Sequence, residues 1–179
     1  MSRLAAALIL ALAGPAMAEN MIEPVTAESA RAWSFLSDRV MGGVSTGAAA
    51  YAEEDGVGYL RLSGAVSTAN RGGFIQMRRG VTGPPGAEGI ALRVRGDGQR
   101  YFVHLRLRGV QRPWQFFQAP FETSTTWRDI RIPFTAFRLQ GGAQDVSLLP
   151  ERLESLGIAA YGRDHQADVS LSGLGFYPG

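Results

Sequence analysis

The sequence predicts an all-β fold in which two antiparallel sheets pack face to face as a sandwich. Past residue 30, apolar and polar residues alternate over stretches of about five to eight residues, the period of a strand with one buried face. Glycine, proline or aspartate interrupts these stretches about every ten residues, as turns between short strands require. Helical periodicity is nearly absent. Because nine stretches show this pattern, we expect two packed sheets.

The predicted strands follow one another along the chain with short connections. They comprise residues 32–36, 57–62, 73–78, 89–95, 100–108, 114–119, 127–132, 156–161 and 168–176. One short helix is predicted over residues 150–155, because Pro150 suits a first helical turn and Glu151 would lie near its positive end. Neither a repeat nor a linker divides the chain. We expect a lead-in at residues 19–30 and a single sandwich domain at residues 31–179.

Composition excludes several classes of protein. The chain has 179 residues, 45% of them hydrophobic and 19% charged, and no cysteine, so disulfides and cysteine-ligated zinc are excluded. All 18 positively charged residues are arginine, but the acids reduce the net charge to +2. We therefore expect no non-specific binding of nucleic acid.

The first 18 residues have the features of a signal peptide. Arg3 precedes an apolar run at residues 4–13, and Ala16-Met17-Ala18 supplies a small-residue cleavage site. Ten apolar residues are about half of the ~20 that a membrane-spanning helix needs. We expect cleavage after Ala18 and export to the periplasm or the extracellular space, with membrane contact only through partners.

The clearest local prediction is a hairpin between strands 89–95 and 100–108, because Gly96-Asp97-Gly98 supplies residues that suit a tight turn. Side chains alternate along a strand, so this hairpin would group basic residues on one surface. They are Arg93, Arg95, His104, Arg106 and Arg108. Two interpretations stay open: a solvated face with acidic counterparts on neighbouring strands, or a recognition surface for an anionic partner. Trp114, which follows with Phe116 and Phe117, favours recognition, since arginine beside aromatic rings is typical of binding sites.

Few residues suit catalysis. The chain has two histidines, no nucleotide-binding glycine motif and no lysine for a phosphate loop, so we expect no catalytic residue, no metal and no cofactor. Two alternatives stay open. His165 lies between Asp164 and Asp168, near Ser170 and Ser172, and could belong to a hydrolase site. Asp38 and Asp97, with loop carbonyls, could hold a structural Ca²⁺.

One segment resembles a known family. The run Trp33-Ser-Phe-Leu-Ser-Asp38-Arg-Val-Met41-Gly42-Gly43-Val-Ser45 is similar to the N-terminal signature of the complex I intermediate-associated protein 30 family. Further matches follow in order as far as Phe176. They include Gly64, Asn70, Gly72-Gly73-Phe74, Gly96-Asp97-Gly98, Trp127, Pro133-Phe134 and Leu156-Gly157-Ile158.

The resemblance implies a jelly-roll sandwich of the galactose-binding-like kind. It also implies a role, because the eukaryotic members are chaperone-like assembly factors for respiratory complex I. It implies no catalytic residue. An exported member could assist membrane-embedded complex I subunits or another envelope complex, or could use the same sandwich to bind a saccharide.

The matched positions also have physical interpretations. Met41, Gly42 and Gly43 indicate a tight turn or a close backbone approach, since glycine tolerates positive φ. Asp38 could accept hydrogen bonds from that loop or contact a ligand directly. Four aromatic residues are expected in the core because each buries a large apolar area: Trp33, Trp127, Phe134 and Phe137.

These observations lead to two hypotheses of function. The first is a non-catalytic assembly factor that acts through protein–protein contacts. The second is a carbohydrate-binding module of the cell envelope. The candidate binding residues are Asp38, Met41, Gly42, Gly43, the five basic residues of the predicted hairpin, and Trp114.

Overall fold

The chain folds as a β-sandwich of two six-stranded antiparallel sheets, as predicted. The structure is a computed structural model that describes residues 22–110, 112, 114–142 and 147–179. Its strands are β1 (Glu23–Pro24), β2 (Ser34–Ser37), β3 (Thr46–Glu54), β4 (Val57–Val66), β5 (Phe74–Gly80), β6 (Ala87–Gly96), β7 (Arg100–Leu107), β8 (Phe116–Glu122), β9 (Arg128–Pro133), β10 (Arg138–Gln140), β11 (Leu153–Tyr161) and β12 (His165–Pro178). A short helix, α1 (Ala27–Ala30), and four 3₁₀ turns connect them.

Sheet I has the order β3-β4-β12-β6-β9, and β1 pairs with β12. Sheet II has the order β10-β8-β7-β11-β5-β2. The consecutive pairs β3–β4 and β7–β8 are hairpins, whereas most other connections cross from one sheet to the other. Strand β11 therefore lies in the middle of sheet II, between β7 and β5, and its outward side chains lie at the centre of that sheet's outer face.

The core lies between the sheets and follows the alternation seen in the sequence. In β7, Tyr101, Val103 and Leu105 are fully buried between the layers, while the residues between them point outward. In β11, Leu156 and Ile158 do the same from the neighbouring strand. A strand with one buried face needs this period of two, which is why the fold class was predictable.

Strands 89–95 and 100–108 do not form a hairpin, and this part of the prediction is wrong. Strand β6 pairs with β12 and β9 in sheet I, whereas β7 pairs with β11 and β8 in sheet II. The Gly96–Gln99 connection crosses between the layers, with Gly96 N donating to Ser124 O at 2.7 Å. Both arrangements bury the same alternate residues of each strand, so alternation could not choose between them.

Three further elements differ from the prediction. Only Pro150–Arg152 forms a 3₁₀ turn, and Leu153 already begins β11, so the predicted helix over 150–155 is wrong beyond its first turn. Strands β3 and β10 were not predicted. Strand β3 is an edge strand rich in alanine and mostly exposed, so it lacks the alternation that marks a half-buried strand.

Part of the lead-in joins the sandwich, since β1 pairs with β12 and Val25 is buried in the core. The predicted signal peptide and its cleavage after Ala18 lie outside the described residues. Within the described part of the chain, no helix has the length and hydropathy that crossing a membrane requires.

Candidate functional site

A cleft of about 500 Å³ lies on the outer face of sheet II, and we call it the sheet II cleft. One side is formed by β2, the 3₁₀ turn that follows it, and β5. The other side is formed by the start of β8 and the end of β10. Its lining residues are Leu36, Val40, Met41, Arg71, Gly72, Phe74, Gln76, Arg78, His104, Arg106, Trp114, Phe116, Gln140, Gly141, Ser155 and Tyr161.

The floor of the cleft is a chain of hydrogen bonds through His104. Gln76 Oε1 lies 3.2 Å from His104 Nδ1, and Gln118 Nε2 lies 2.9 Å from His104 Nε2. Because the Gln118 amide nitrogen can only donate, His104 Nε2 accepts and Nδ1 carries the proton. The three side chains span three strands, β5, β7 and β8, with β11 passing beneath the first contact.

Gly157 makes this floor possible. It lies in β11 opposite both Arg78 of β5 and His104 of β7. A Cβ atom at this position would overlap Gln76 Nε2, so only glycine leaves room for the Gln76 amide to cross β11 and reach His104.

His104 is buried and neutral. Burial lowers its pKa from 6.5 to about 3, because desolvation disfavours the charged imidazolium. The ring is packed by aromatic neighbours, with the Phe116 centroid at 4.3 Å and the Tyr161 centroid at 5.3 Å. Although the sequence placed His104 in a basic group, it adds no positive charge near neutral pH.

The rim of the cleft exposes large apolar side chains. Val40 is 70% exposed, Met41 65% and Trp114 58%. Val40 and Met41 lie on the 3₁₀ turn Asp38–Met41, and Trp114 lies just before β8 rather than within the predicted strand. Exposed apolar side chains gathered beside a cleft are typical of contact surfaces.

Asp38 holds this turn in place from inside the protein. Its carboxylate accepts hydrogen bonds from Ser45 N at 3.0 Å and Ser45 Oγ at 2.5 Å. It also accepts from Gly73 N at 2.6 Å and Phe74 N at 3.3 Å, which ties the turn to the start of β5. The sequence left two roles open for Asp38, hydrogen bonding to the loop or direct contact with a ligand. Because Asp38 is fully buried, its role in the structure is the first.

Two glycines are needed around this carboxylate. A Cβ atom at Gly43 or at Gly72 would overlap the Asp38 side chain. The backbone can therefore approach the carboxylate at these two positions only because both residues are glycine. Gly42 ends the 3₁₀ turn with φ of 88°, a left-handed conformation that favours glycine. The segment 38–45 is therefore a locked loop, and we call it the signature loop.

Donors surround the Asp38 carboxylate, and they determine its ionisation. Burial opposes ionisation, but hydrogen bonds from the Ser45 side chain and from the Gly73, Ser45 and Phe74 backbone outweigh it and lower the pKa of Asp38. Since its oxygens are engaged by N–H and O–H groups, Asp38 does not present them to a cation. Among the described residues, no group of three or more acidic or histidine side chains is placed to hold a metal ion.

The basic residues of the predicted hairpin are divided between the two outer faces. His104 and Arg106 line the sheet II cleft, whereas Arg93 and Arg95 point outward from sheet I. Arg93 pairs with Asp129 at 3.2 Å and Arg95 with Glu54, so acidic counterparts on other strands are present for these two.

Arg108 and Arg95 are both held by contacts outside the sheet II cleft. Arg108 follows β7 and donates to Thr82 Oγ1 at 2.6 Å, away from the cleft lining. The Arg95 guanidinium packs over the rings of Tyr59 and Trp127, at 4.9 and 4.7 Å from their centroids, and the two rings contact each other with their centroids 5.7 Å apart. The prediction of a core position for Trp127 is therefore wrong, because this ring packs on the outer face of sheet I. Phe137 is buried in the core, and Trp33 and Phe134 are partly buried and pack against the core.

The loop around His165 does not assemble a hydrolase site. Asp164 accepts from Thr68 N at 2.6 Å, Asp168 pairs with Arg61 at 2.5 Å, and His165 Nδ1 lies 2.9 Å from Arg163 O. Each of the three candidate side chains is thus engaged with a different neighbour rather than with another of the three.

Several residues of the cleft were missed by sequence reasoning. They come from three strands, β5, β8 and β11, and are Gln76, Arg78, Gln118, Gly157 and Tyr161. Each is an unremarkable outward position of its own strand, and only the strand order brings them together. Met41, His104, Arg106 and Trp114 were predicted, and the structure gathers these four around one cleft.

The fold and cleft define a jelly-roll β-sandwich of the galactose-binding-like kind. The family 11 carbohydrate-binding module from Clostridium thermocellum, solved with a β-1,3-1,4-mixed-linked tetrasaccharide, superposes with a TM-score of 0.64 at 14% identity, covering 82% of this chain and 89% of that one. The family 30 module of the Clostridium thermocellum cellulosomal cellulase has a TM-score of 0.54 at 11% identity, covering 75% and 90%. At these identities the similarity shows the fold alone.

Residues 23–172 match the model of the complex I intermediate-associated protein 30 family, and the chain belongs to that family. The match confirms the resemblance seen in the signature loop. No curated protein sequence matches the chain.

Proposed function

We propose that this protein is an exported, non-catalytic binding factor that assists assembly of a membrane or envelope complex, with respiratory complex I as the first candidate. Contact with the partner is made by the sheet II cleft and its apolar rim. Family membership supports the assembly role, and the export part of the proposal rests on the N-terminal sequence features.

One observation carries the proposal: some residues of the signature loop are buried and hold the loop in place, whereas others are exposed at the edge of the cleft. Asp38, Gly43 and Ser45 are engaged in the buried lock. Val40 and Met41 point outward and remain mostly exposed, so the lock holds two apolar side chains in water at the edge of the cleft. Exposing them does not help the chain to fold, whereas covering them with a partner would remove apolar area from water.

Site-specific photo-crosslinking in the native host tests the proposal. A photoreactive residue at Met41 or Trp114 should give adducts with complex I subunits or with proteins of another envelope complex. The same residue at Ala50, which is exposed on β3 of sheet I, should give none of these. Deleting the gene should lower the amount of the complex that is captured. Normal levels of every captured complex, with equal adducts from Met41 and Ala50, would contradict the proposal.

A saccharide ligand is the second candidate. Trp114, Phe116 and Tyr161 surround the cleft, and aromatic rings of this kind can stack on sugars. A glycan array would support this candidate if binding is lost in Trp114→Ala and kept in Trp127→Ala, which removes an aromatic ring from the other face. Glycan binding that survives Trp114→Ala would exclude the cleft as the sugar site.

A further inference from the structure

Strand β12 has one edge that is paired along only part of its length. On one side, β12 pairs with β6 from Val169 to Pro178. On its other side it pairs with β4 over residues 165–171 and then with β1, at Gly173 and Leu174. Beyond Leu174, no strand within the described residues pairs with this second side. An unpaired strand edge presents N–H and C=O groups that can bond to a further strand.

A hollow of about 710 Å³ adjoins the same part of β12, and we call it the β12 hollow. Its volume lies within the range of ligand pockets, about 300–1,000 Å³, and is much larger than the voids of a packed interior. The connection between β5 and β6 forms one side, and the end of β12 forms the other. Its apolar lining residues include Val81, Pro84, Pro85, Leu174, Phe176 and Pro178. Glu23, the first residue of β1, also lines it, so the hollow begins where β1 begins.

The register of β1 against β12 shows where a longer β1 would run. Glu23 lies opposite Leu174, and the two strands are antiparallel. Each step toward the start of β1 therefore moves one step toward the end of β12. Continued in this register, residues 19–21 would lie opposite residues 176–178, which end β12. Cleavage after Ala18, as the sequence predicts, makes residue 19 the first of the mature chain. The mature chain would then begin opposite the residue at which β12 ends.

The backbone of Phe176 faces the unpaired edge. Val25 N donates to Ser172 O at 2.9 Å, so the backbone groups of Ser172 point toward the β1 side. These groups alternate in direction along a strand, so those of Leu174 and Phe176 point to the same side. The backbone groups of Tyr177 point to the other side, toward β6. The Phe176 amide therefore reports whether a strand lies on this edge, and the Tyr177 amide is its internal control.

The same register directs the Met21 side chain into the hollow. Residues directly opposite in an antiparallel pair point to the same face, and Leu174 points into the sandwich. Glu23 therefore points to that face too, in agreement with its place in the hollow lining. Since side chains alternate, Ile22 points outward, where its Cγ2 would overlap a Cβ at Gly173. Met21 then points inward, and its unbranched apolar side chain suits this apolar lining.

We propose that the β12 hollow is the docking site of the mature N-terminus: residues 19–21 continue β1 along the edge of β12, and the Met21 side chain fills the hollow. Residues 19–21 themselves lie outside the described residues. The inference rests on the predicted cleavage after Ala18, which belongs to the export part of the proposed function, and not on the sheet II cleft. A docked segment has its backbone bonded to β12 and is withdrawn from proteases. Docking therefore follows cleavage and protects the new N-terminus.

Amide hydrogen exchange of the exported, cleaved protein tests this inference. Intact-mass measurement first establishes the N-terminal residue of each preparation. The Phe176 amide should exchange at least about tenfold more slowly in the unchanged protein than in Met21→Asp, which would place a charge in the hollow. Asn20→Asp introduces the same charge at a position that points outward, and its Phe176 amide should exchange as in the unchanged protein. The Tyr177 amide should stay protected in all of these proteins and shows that each is folded.

Aminopeptidase digestion gives a second measurement. A docked N-terminus is open to the enzyme only while it is detached, so the rate of trimming follows the detached fraction. Met21→Asp should therefore lose its first residues at least about tenfold faster than the unchanged protein or Asn20→Asp. Intact mass follows the loss.

The outcomes separate this inference from the proposed function. Equal exchange of the Phe176 amide in the unchanged protein and in Met21→Asp would overturn the docking and leave the proposed function in place. A mature chain that begins after Met21 would do the same, whereas a retained leader would overturn both the docking and the predicted cleavage. Protection of Phe176 that rises with protein concentration would place a strand of a second copy on this edge and overturn the inference. Photo-crosslinking from Met41 and Trp114 tests the partner contact independently of these results.

Discussion

Gln76 and His104 are joined by a hydrogen bond of 3.2 Å across the backbone of Gly157, although their strands are not neighbours. Strand β11 separates β5 from β7, and a side chain at residue 157 would block the path. The contact ties three strands of sheet II together on its outer face. It also makes the floor of the cleft polar but uncharged, with its hydrogen-bonding groups paired. The charge of the cleft therefore comes from its arginines.

Replacing Gly157 with alanine should break this contact. The new methyl group would displace the Gln76 amide and leave the buried His104 Nδ1–H without its acceptor, which we expect to lower the free energy of unfolding by about 1–3 kcal/mol. Urea denaturation measures the change. Gly80→Ala is the matched control, because a Cβ there meets only Glu154 O at 3.7 Å and stability should hold or rise slightly. Equal stability of both variants would argue against the role of Gly157.

His104 should make stability depend on pH. Its pKa is about 3 in the folded protein and 6.5 as the ordinary value, so the unfolded chain binds the proton more readily between these limits. The stabilisation is complete above about pH 6.5 and is lost progressively as the pH falls toward 3, by up to about 1.4 kcal/mol per pH unit. Unfolding measured between pH 6.5 and 4.5 avoids most carboxylate titration. His104→Gln should flatten this slope, whereas His165→Gln should leave the contribution of His104 in place.

Asp38→Asn should destabilise the signature loop. An asparagine amide would turn an N–H₂ group toward backbone N–H donors and remove the charge that they stabilise, so we expect a loss of about 3 kcal/mol in the free energy of unfolding. Asp55→Asn is the control: this exposed turn residue has φ of 51°, which asparagine tolerates. A loss in Asp38→Asn no larger than in Asp55→Asn would mean that the loop is held by other contacts.

Met41→Gln should separate folding from binding. Because Met41 is exposed, the substitution should change the free energy of unfolding by less than about 0.5 kcal/mol. Met77→Gln places the same change at a fully buried position and should cost about 2–4 kcal/mol. In the host, Met41→Gln should reduce photo-crosslinks formed from Trp114 while the protein stays at its normal level. Undiminished crosslinks would remove Met41 from the contact surface.

Much of this architecture follows from local sequence. In β5 and β7 the buried apolar residues recur at every second position, so the strands and their inner faces could be predicted. The Asp38-to-Ser45 run marked the loop whose lock the structure shows, because aspartate followed by paired glycines indicates a carboxylate held close to backbone. Edge strand β3 was not predicted by the same reasoning, because most of its residues are exposed and its inward residues Ala49 and Tyr51 are only partly buried.

The cleft depended on strand order. Arg95 and His104 are nine residues apart and lie on opposite outer faces, whereas Gln76 and His104 are 28 residues apart and touch. Alternation determines which side chains point away from the core. The pattern is the same whether consecutive strands pair within one sheet or lie in different sheets. The sequence by itself thus determined a β-sandwich, its family and the loop in which Met41, Gly42 and Gly43 were candidate binding residues, whereas the exposure of Val40 and Met41 is seen only in the structure. Only the tertiary structure decided which arginines share a cleft, because that depends on which strands lie side by side.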